Sequence, residues 1–374
     1  MGHRIRQCAL ALAALLFLAV PAGAQAPWRL GVIGASSGDA STSNEAMFRA
    51  ARFAVDEINA AGGLLGRPVE AVEIDNHSSS LGSKAAAELA VSLNVVSVIG
   101  AVWSEHSLAM APVLQAARIP MITPMSTNPE VTRAGDYIFR TCYTDTFQGE
   151  VMAHFARQDL KAARAAILTN VSRVYSVDLG RMFDERFRAL GGEVLWRGAY
   201  TIDTADYLRL LQMVKAVDPD VLYVPGDYRD SSFIIKQARD LGLRAVILGA
   251  DAFGLRLYDY IGAAADGCYY TTHWHHDSPL PASRRFVAAW EARFGEVRQT
   301  TIPMTYDAVM LWADAVRRAG SADRARIRDA LAATRDFHGA TGTIGFETGG
   351  DPRRPLVINR LEGGRAVFVR AVEP

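Results

Sequence analysis

Cysteine is nearly missing from this chain: there are three in 374 residues, and one of them, Cys8, sits in the N-terminal apolar stretch. That excludes a disulfide scaffold. The separation of Cys142 from Cys268 matches no zinc-ligand spacing, and the sequence leaves open whether those two pair. Long apolar runs are missing too: Ala9 to Val20 falls short of the ~20 residues a spanning helix needs, and nothing later is long and uncharged enough. There is no excess of one charge, with 40 Lys+Arg against 40 Asp+Glu, and no basic tract that would mark a nucleic-acid partner. Catalytic signatures are absent as well. Gly31-Val-Ile-Gly34 lacks the full G-x-G-x-x-G phosphate turn. Gly100-Ala-Val-Trp-Ser104 lacks the glycine that follows a nucleophile-elbow serine. No nucleophile–base or acid–base pair stands out, so the sequence predicts a chain that is not an enzyme and needs no cofactor.

What is present begins with an address. His3, Arg4 and Arg6 precede the apolar run, and Ala22-Gly-Ala24 and Ala24-Gln-Ala26 follow it, the order of a secretory signal peptide with an A-x-A cleavage site near Ala24 or Ala26. Residues 1 to 26 are therefore set aside as a leader, and the mature protein is expected in the periplasm. Cys8 lacks the flanking residues of a lipid-modified cysteine. The remaining length exceeds one typical core and predicts about two lobes.

Short apolar runs alternate with amphipathic segments almost throughout. Leu30 to Ala35, Val69 to Ile74, Val95 to Ile99 and Pro120 to Ile122 read as strands, and Met47, Ala50, Ala51, Ala54 and Ile58 share one face of a helix between the first two. The rhythm restarts after Asp145, with strands at Ala165 to Leu168, Val221 to Val224, Ala245 to Leu248 and Cys268 to Thr271. This predicts an α/β protein of two Rossmann-like, doubly wound lobes. Helices near 283–294, 305–319 and 323–333, and a hairpin over Leu356 to Val372 turning at Glu362-Gly-Gly-Arg365, form no domain alone and complete the two lobes. Ligands of such sheets sit beyond the carboxyl ends of the strands, here facing an interlobe cleft.

Three segments carry a resemblance: Phe53-Ala-Val-Asp-Glu-Ile-Asn-Ala-Ala-Gly-Gly-Leu-Leu-Gly-Arg-Pro-Val69, Val98-Ile-Gly-Ala-Val-Trp-Ser104 and Ile119-Pro-Met-Ile-Thr-Pro-Met-Ser-Thr-Asn-Pro-Glu-Val-Thr132. The chain resembles the branched-chain amino-acid (Leu/Ile/Val) periplasmic binding proteins that feed ABC transporters. The resemblance implies the type I fold with a three-stranded hinge. Its crossovers fall near Tyr143 to Asp145, Thr272 to His275 and Pro352 to Pro355. The lobes are then 27–144 plus 275–353 and 145–274 plus 354–374.

The same resemblance assigns a ligand site. Ser104 matches a contact for the ligand carboxylate, at the start of a helix expected over about 107 to 117, where backbone N–H groups favour an anion. Met125, Ser126 and Thr127 offer a carbonyl, an N–H and a hydroxyl, and Thr127 matches the family's ligand-contacting threonine. Asp251 matches the acid that pairs with an ammonium group, and Tyr175 a tyrosine that closes over the ligand. Asp227 stands where an aromatic is more usual, and a second acid there favours a more cationic ligand. Trp103 replaces a small residue or cysteine, while Ser43 stands where some members place a tryptophan, so the aromatic wall shifts between loops. His273-Trp-His-His276 invites a metal reading, but the alternation puts His276 on the opposite side from its neighbours. No metal is expected, and His106 is the favoured functional histidine.

The implied partners are a small amino-acid-like solute and the membrane permease of an ABC importer, with the chain acting as a monomer and binding no nucleic acid. The rival reading is a periplasmic sensor or binding protein for an amide, urea, amine or aromatic acid.

Overall fold

A computed structural model describes residues 25–374; all but the last two residues of the expected leader, 1–26, lie outside them. The first sheet collects β1 (Trp28–Gly34), β2 (Val69–Asp75), β3 (Ser97–Gly100), β4 (Met121–Thr123) and β5 (Ile138–Arg140) in the parallel order β2-β1-β3-β4-β5. All five residues of the predicted apolar stripe in helix Ser41–Ala60, from Met47 to Ile58, are buried. The second sheet starts with β6 (Arg164–Asn170), β7 (Glu193–Tyr200), β8 (Val221–Tyr223), β9 (Val246–Gly249) and β10 (Tyr269–Thr272).

From β10 the chain returns to the first lobe through helices Pro281–Phe294, Thr301–Ala319 and Arg324–Ala332 and a hairpin of β11 (Phe337–Gly339) and β12 (Gly342–Ile344). Their place is set by burial: Leu311, Trp312, Val316, Ile327 and Phe346 share one core with Leu30, Val32, Met47 and Ile58. The chain then crosses again, and β13 (Leu356–Glu362) and β14 (Arg365–Val372) complete the second sheet in the order β14-β13-β10-β9-β8-β6-β7. Gly363 and Gly364 between them have φ of 58° and 81°, the two left-handed residues that a tight hairpin turn demands.

Three connections thus join the lobes, at 141–144, 273–280 and 345–355. One buried side chain ties them. Arg354, on the third connection and 2% exposed, donates through Nη1 to the Thr141 carbonyl on the first and through Nη2 to the His273 carbonyl on the second at 3.0 Å. The same Nη2 reaches the Thr341 carbonyl at 3.0 Å. A second buried guanidinium, Arg140, pairs through Nε with Asp351 at 2.7 Å and donates to the Ser126 and Asn128 carbonyls at 2.6 and 2.9 Å. It therefore fastens the 125–128 loop to the third connection.

The helix expected near 107 starts at Ser104 and runs to Ala116. Trp103 supplies the capping carbonyl, which accepts from the amides of His106 and Ser107, so no side-chain cap marks the start. Cys142 and Cys268 are both buried and unpaired. No helix among the described residues is long and apolar enough to cross a membrane.

Candidate functional site

The carboxyl ends of both sheets face a shared cleft, and a cavity of about 170 Å³ lies in it. That is below the ~300–1,000 Å³ of drug-sized sites and fits a small molecule. Of the eight residues singled out in sequence, six line it: Trp103, Ser104, Met125, Tyr175, Asp227 and Asp251. Ser43, Tyr228 and Phe253 line it too. Ser126 and Thr127 do not. The Ser126 hydroxyl is taken up by Ser107 at 2.7 Å and the Ala101 carbonyl at 3.1 Å, and its own carbonyl by Arg140, so it braces the loop. The Thr127 hydroxyl is buried with no hydrogen-bond partner among the described residues.

Asp251 follows β9 and is 7% exposed, a position in which a carboxylate must be compensated. Three neutral donors do this: Gln148 Nε2 at 2.8 Å and Tyr175 Oη at 2.7 Å on Oδ1, and His273 Nε2 at 3.2 Å on Oδ2. Burial pushes its pKa up, but these donors outweigh it and hold the carboxyl below the ordinary value. Burial likewise holds His273 below its ordinary value, so the ring is neutral and its Nε2–H faces Asp251. The Tyr143 ring covers it at 3.8 Å between centroids. With about four lone-pair positions on a carboxylate, Asp251 keeps one for a ligand donor.

On the opposite lobe Ser104 stands in the first turn of its 13-residue helix, where backbone amides lack helical partners. Its hydroxyl accepts from the Asn128 amide at 3.3 Å. One cavity therefore offers an anion-receptive helix start on one lobe and a fixed carboxylate on the other.

Several site residues were not read in sequence. Gln148 and His273 orient Asp251; Gln148 belongs to no motif, and His273 was read only as part of a histidine cluster. Arg173, the residue before helix Val174–Ala189, enters the cavity and bridges Glu105 and Asp227. Asp227 is thereby paired within the protein, and the argument that it calls for a cationic ligand loses its basis. His106 is buried behind Trp103, bonded to Asn76 at 3.2 Å, and does not line the cavity. His275 and His276 face Asp277 and Glu291. No group of three or more His, Cys, Asp or Glu among the described residues is placed to hold a metal ion.

The lobes touch around the cleft. Arg173 reaches Glu105 at 2.9 Å, Asn128 donates to Asp178 at 2.6 Å and Arg298 to Asp259 at 2.6 Å.

Known proteins resemble this chain in sequence and fold. The leucine-specific-binding protein of Salmonella typhimurium is 29% identical over 313 residues, covering 83% of this chain and 84% of that protein. A leucine binding protein, LivK, from Thermotoga maritima superposes with a TM-score of 0.88 at 34% identity, covering 92% of this chain and 99% of that one. LivJ of Streptococcus pneumoniae, a branched-chain amino acid transporter substrate binding protein solved with isoleucine, gives a TM-score of 0.88 at 27% identity, over 93% of this chain and all of that one. A family model described as periplasmic binding protein matches residues 27–365. With two doubly wound lobes, three connections and a cleft cavity lined from both sides, the chain belongs to the periplasmic binding protein family of ABC-transporter solute-binding proteins.

Proposed function

We propose that this protein captures a small zwitterionic amino acid in its cleft, without chemical conversion, and hands it to the permease of an ABC importer. The observation that carries this is the pairing of opposite polarities in one cavity. The Ser104 helix start suits a carboxylate, and Asp251, with a lone-pair position spare, suits an ammonium group. The relatives named above point the same way, since leucine and isoleucine are the solutes in their names.

In this reading 27–144 with 275–353 moves as one body and 145–274 with 354–374 as the other. Hinge rotation carries Tyr175 and Asp251 onto a ligand held first at Ser104 and Met125. The leader is removed near Ala24 or Ala26, and the mature monomer works in the periplasm.

The test is a thermal-shift screen of residues 27 to 374 against amino acids, aromatic acids, amines, amides and urea. A ligand at 100 times its dissociation constant adds about 2.7 kcal/mol to the folded state. Stabilisation by zwitterionic amino acids is the expected result; a response confined to amides, urea or aromatic acids would overturn the ligand class.

A further inference from the structure

Trp103, Glu105, Arg173 and Asp227 all line the cavity, two from each lobe. The Arg173 guanidinium carbon lies 3.6 Å from the centroid of the Trp103 ring. Its Nη1 donates to Glu105 Oε1 at 2.9 Å and its Nε to Asp227 Oδ2 at 3.2 Å. The three charged side chains are only 12, 17 and 22% exposed. His106 lies beside the Trp103 ring, 5.3 Å between centroids, so the indole is held by neighbours of its own lobe as well. The assembly is a wall built of alternating charges.

This wall adjoins the polar end of the cavity on both lobes. Trp103 and Glu105 flank Ser104, and Arg173 stands two residues before Tyr175. A ligand whose carboxylate and ammonium sit at Ser104 and Asp251 presents its side chain to a space of about 170 Å³ bounded partly by these groups.

We propose that Arg173 is a specificity-determining residue, and that its wall selects amino acids with a short or neutral hydrogen-bonding side chain over the branched aliphatic ones. The proposal rests on the amino-acid reading above. A leucine or isoleucine side chain against this wall strips water from three charged groups and returns no hydrogen bond. A cationic side chain meets Arg173, and an anionic one meets Asp227 and Glu105. A carboxamide or hydroxyl meets both signs with a matching dipole. Two of the five guanidinium N–H donors are committed to the acids, leaving donors for a ligand carbonyl, and the acids keep lone pairs for a ligand N–H or O–H.

The experiment is calorimetric titration of asparagine and leucine into residues 27 to 374, as wild type, R173L and R173K, with circular dichroism confirming the fold of each. Wild type is expected to bind asparagine at least tenfold more tightly than leucine. R173L should move that ratio at least tenfold toward leucine. R173K, which keeps the charge without the fork, should fall between, and it decides the matter if R173L does not fold. Equal wild-type affinity for the two, or a ratio unmoved by substitution, overturns the role of Arg173 while leaving the amino-acid reading in place. If no amino acid binds wild type and a different solute class does, that reading falls and takes this inference with it.

Discussion

Replacing Arg354 by methionine keeps most of the side-chain volume and removes the fork that ties the three connections. Three buried carbonyls, of Thr141, His273 and Thr341, lose their donor. Each buried acceptor left unsatisfied costs about 1–3 kcal/mol, or roughly 3–9 kcal/mol together. Against this stands relief from burying a cation: Arg354 makes no ion pair among the described residues, and burial pulls its pKa down against the attraction of Asp307. Desolvation of a buried ion costs several kcal/mol, so the net loss should be about 3 kcal/mol. Equilibrium urea unfolding of wild type and Arg354→Met, with the slope compared as well as the midpoint, measures it. Arg354→Lys retains the charge but cannot reach three separate carbonyls and should recover less than half. A loss for Arg354→Met below about 1 kcal/mol would refute the reasoning, because the carbonyls would then have other partners and the hinge no common tie.

Asp251→Asn keeps an acceptor for Gln148 and Tyr175 but removes the charge. Loss of a charged hydrogen bond worth about 1.5–3 kcal/mol predicts at least tenfold weaker amino-acid binding by calorimetry, and unchanged affinity would mean that no ammonium group sits there. Asp307 is buried, and burial pushes its carboxyl up to about 6 against the bonds from Thr341 and Ala340. The folded state then holds a proton that the unfolded state has released, so this residue's contribution to stability falls as pH rises from about 4 to 6 and is flat above. The stability of Asp307→Asn relative to wild type should therefore climb by about 3 kcal/mol over that window; a difference independent of pH would count against it. Cys142 and Cys268 are buried and unpaired, with thiols pushed up by burial to about 12 and about 11. A thiol reagent should find neither in the native mature protein and both after unfolding without reductant; finding none after unfolding would reveal a disulfide. Small-angle scattering should show a smaller radius on saturation with ligand, and an unchanged radius would argue against hinge closure.

Sequence disclosed those parts of the fold in which one local signal decides the outcome. Apolar runs marked eight strands, because parallel strands are buried on both faces and read as continuous hydrophobic stretches. Glu362-Gly-Gly-Arg365 marked the last hairpin because few other pairs adopt two positive φ values. β5 went unread because its apolar run is only Ile138-Phe139 before Arg140. β7 is an edge strand with few buried positions and a glycine at 198, and it shows no clean alternation. At the site, Trp103, Ser104, Met125, Tyr175, Asp227 and Asp251 were found through a family pattern tied to particular loops. Gln148, Arg173, Arg140 and Arg354 act through partners 100 or more residues away or on the other lobe, as Gln148 does on Asp251 at a separation of 103. No window of sequence contains such a relation, so an arginine that ties a hinge reads like any surface arginine.

The three connections also bear on how the chain reaches its native state. The first lobe's core needs Leu30 and Phe346 together. In the second, β13 and β14 join only from residue 356 onward, with Tyr270 paired to Asn359. Neither lobe is a contiguous stretch that could finish folding while the rest is being made. Contacts of such long range are slow to form, since loop closure must precede any gain from them. A chain of this plan stays incomplete until the segment from Leu356 to Val372 is available.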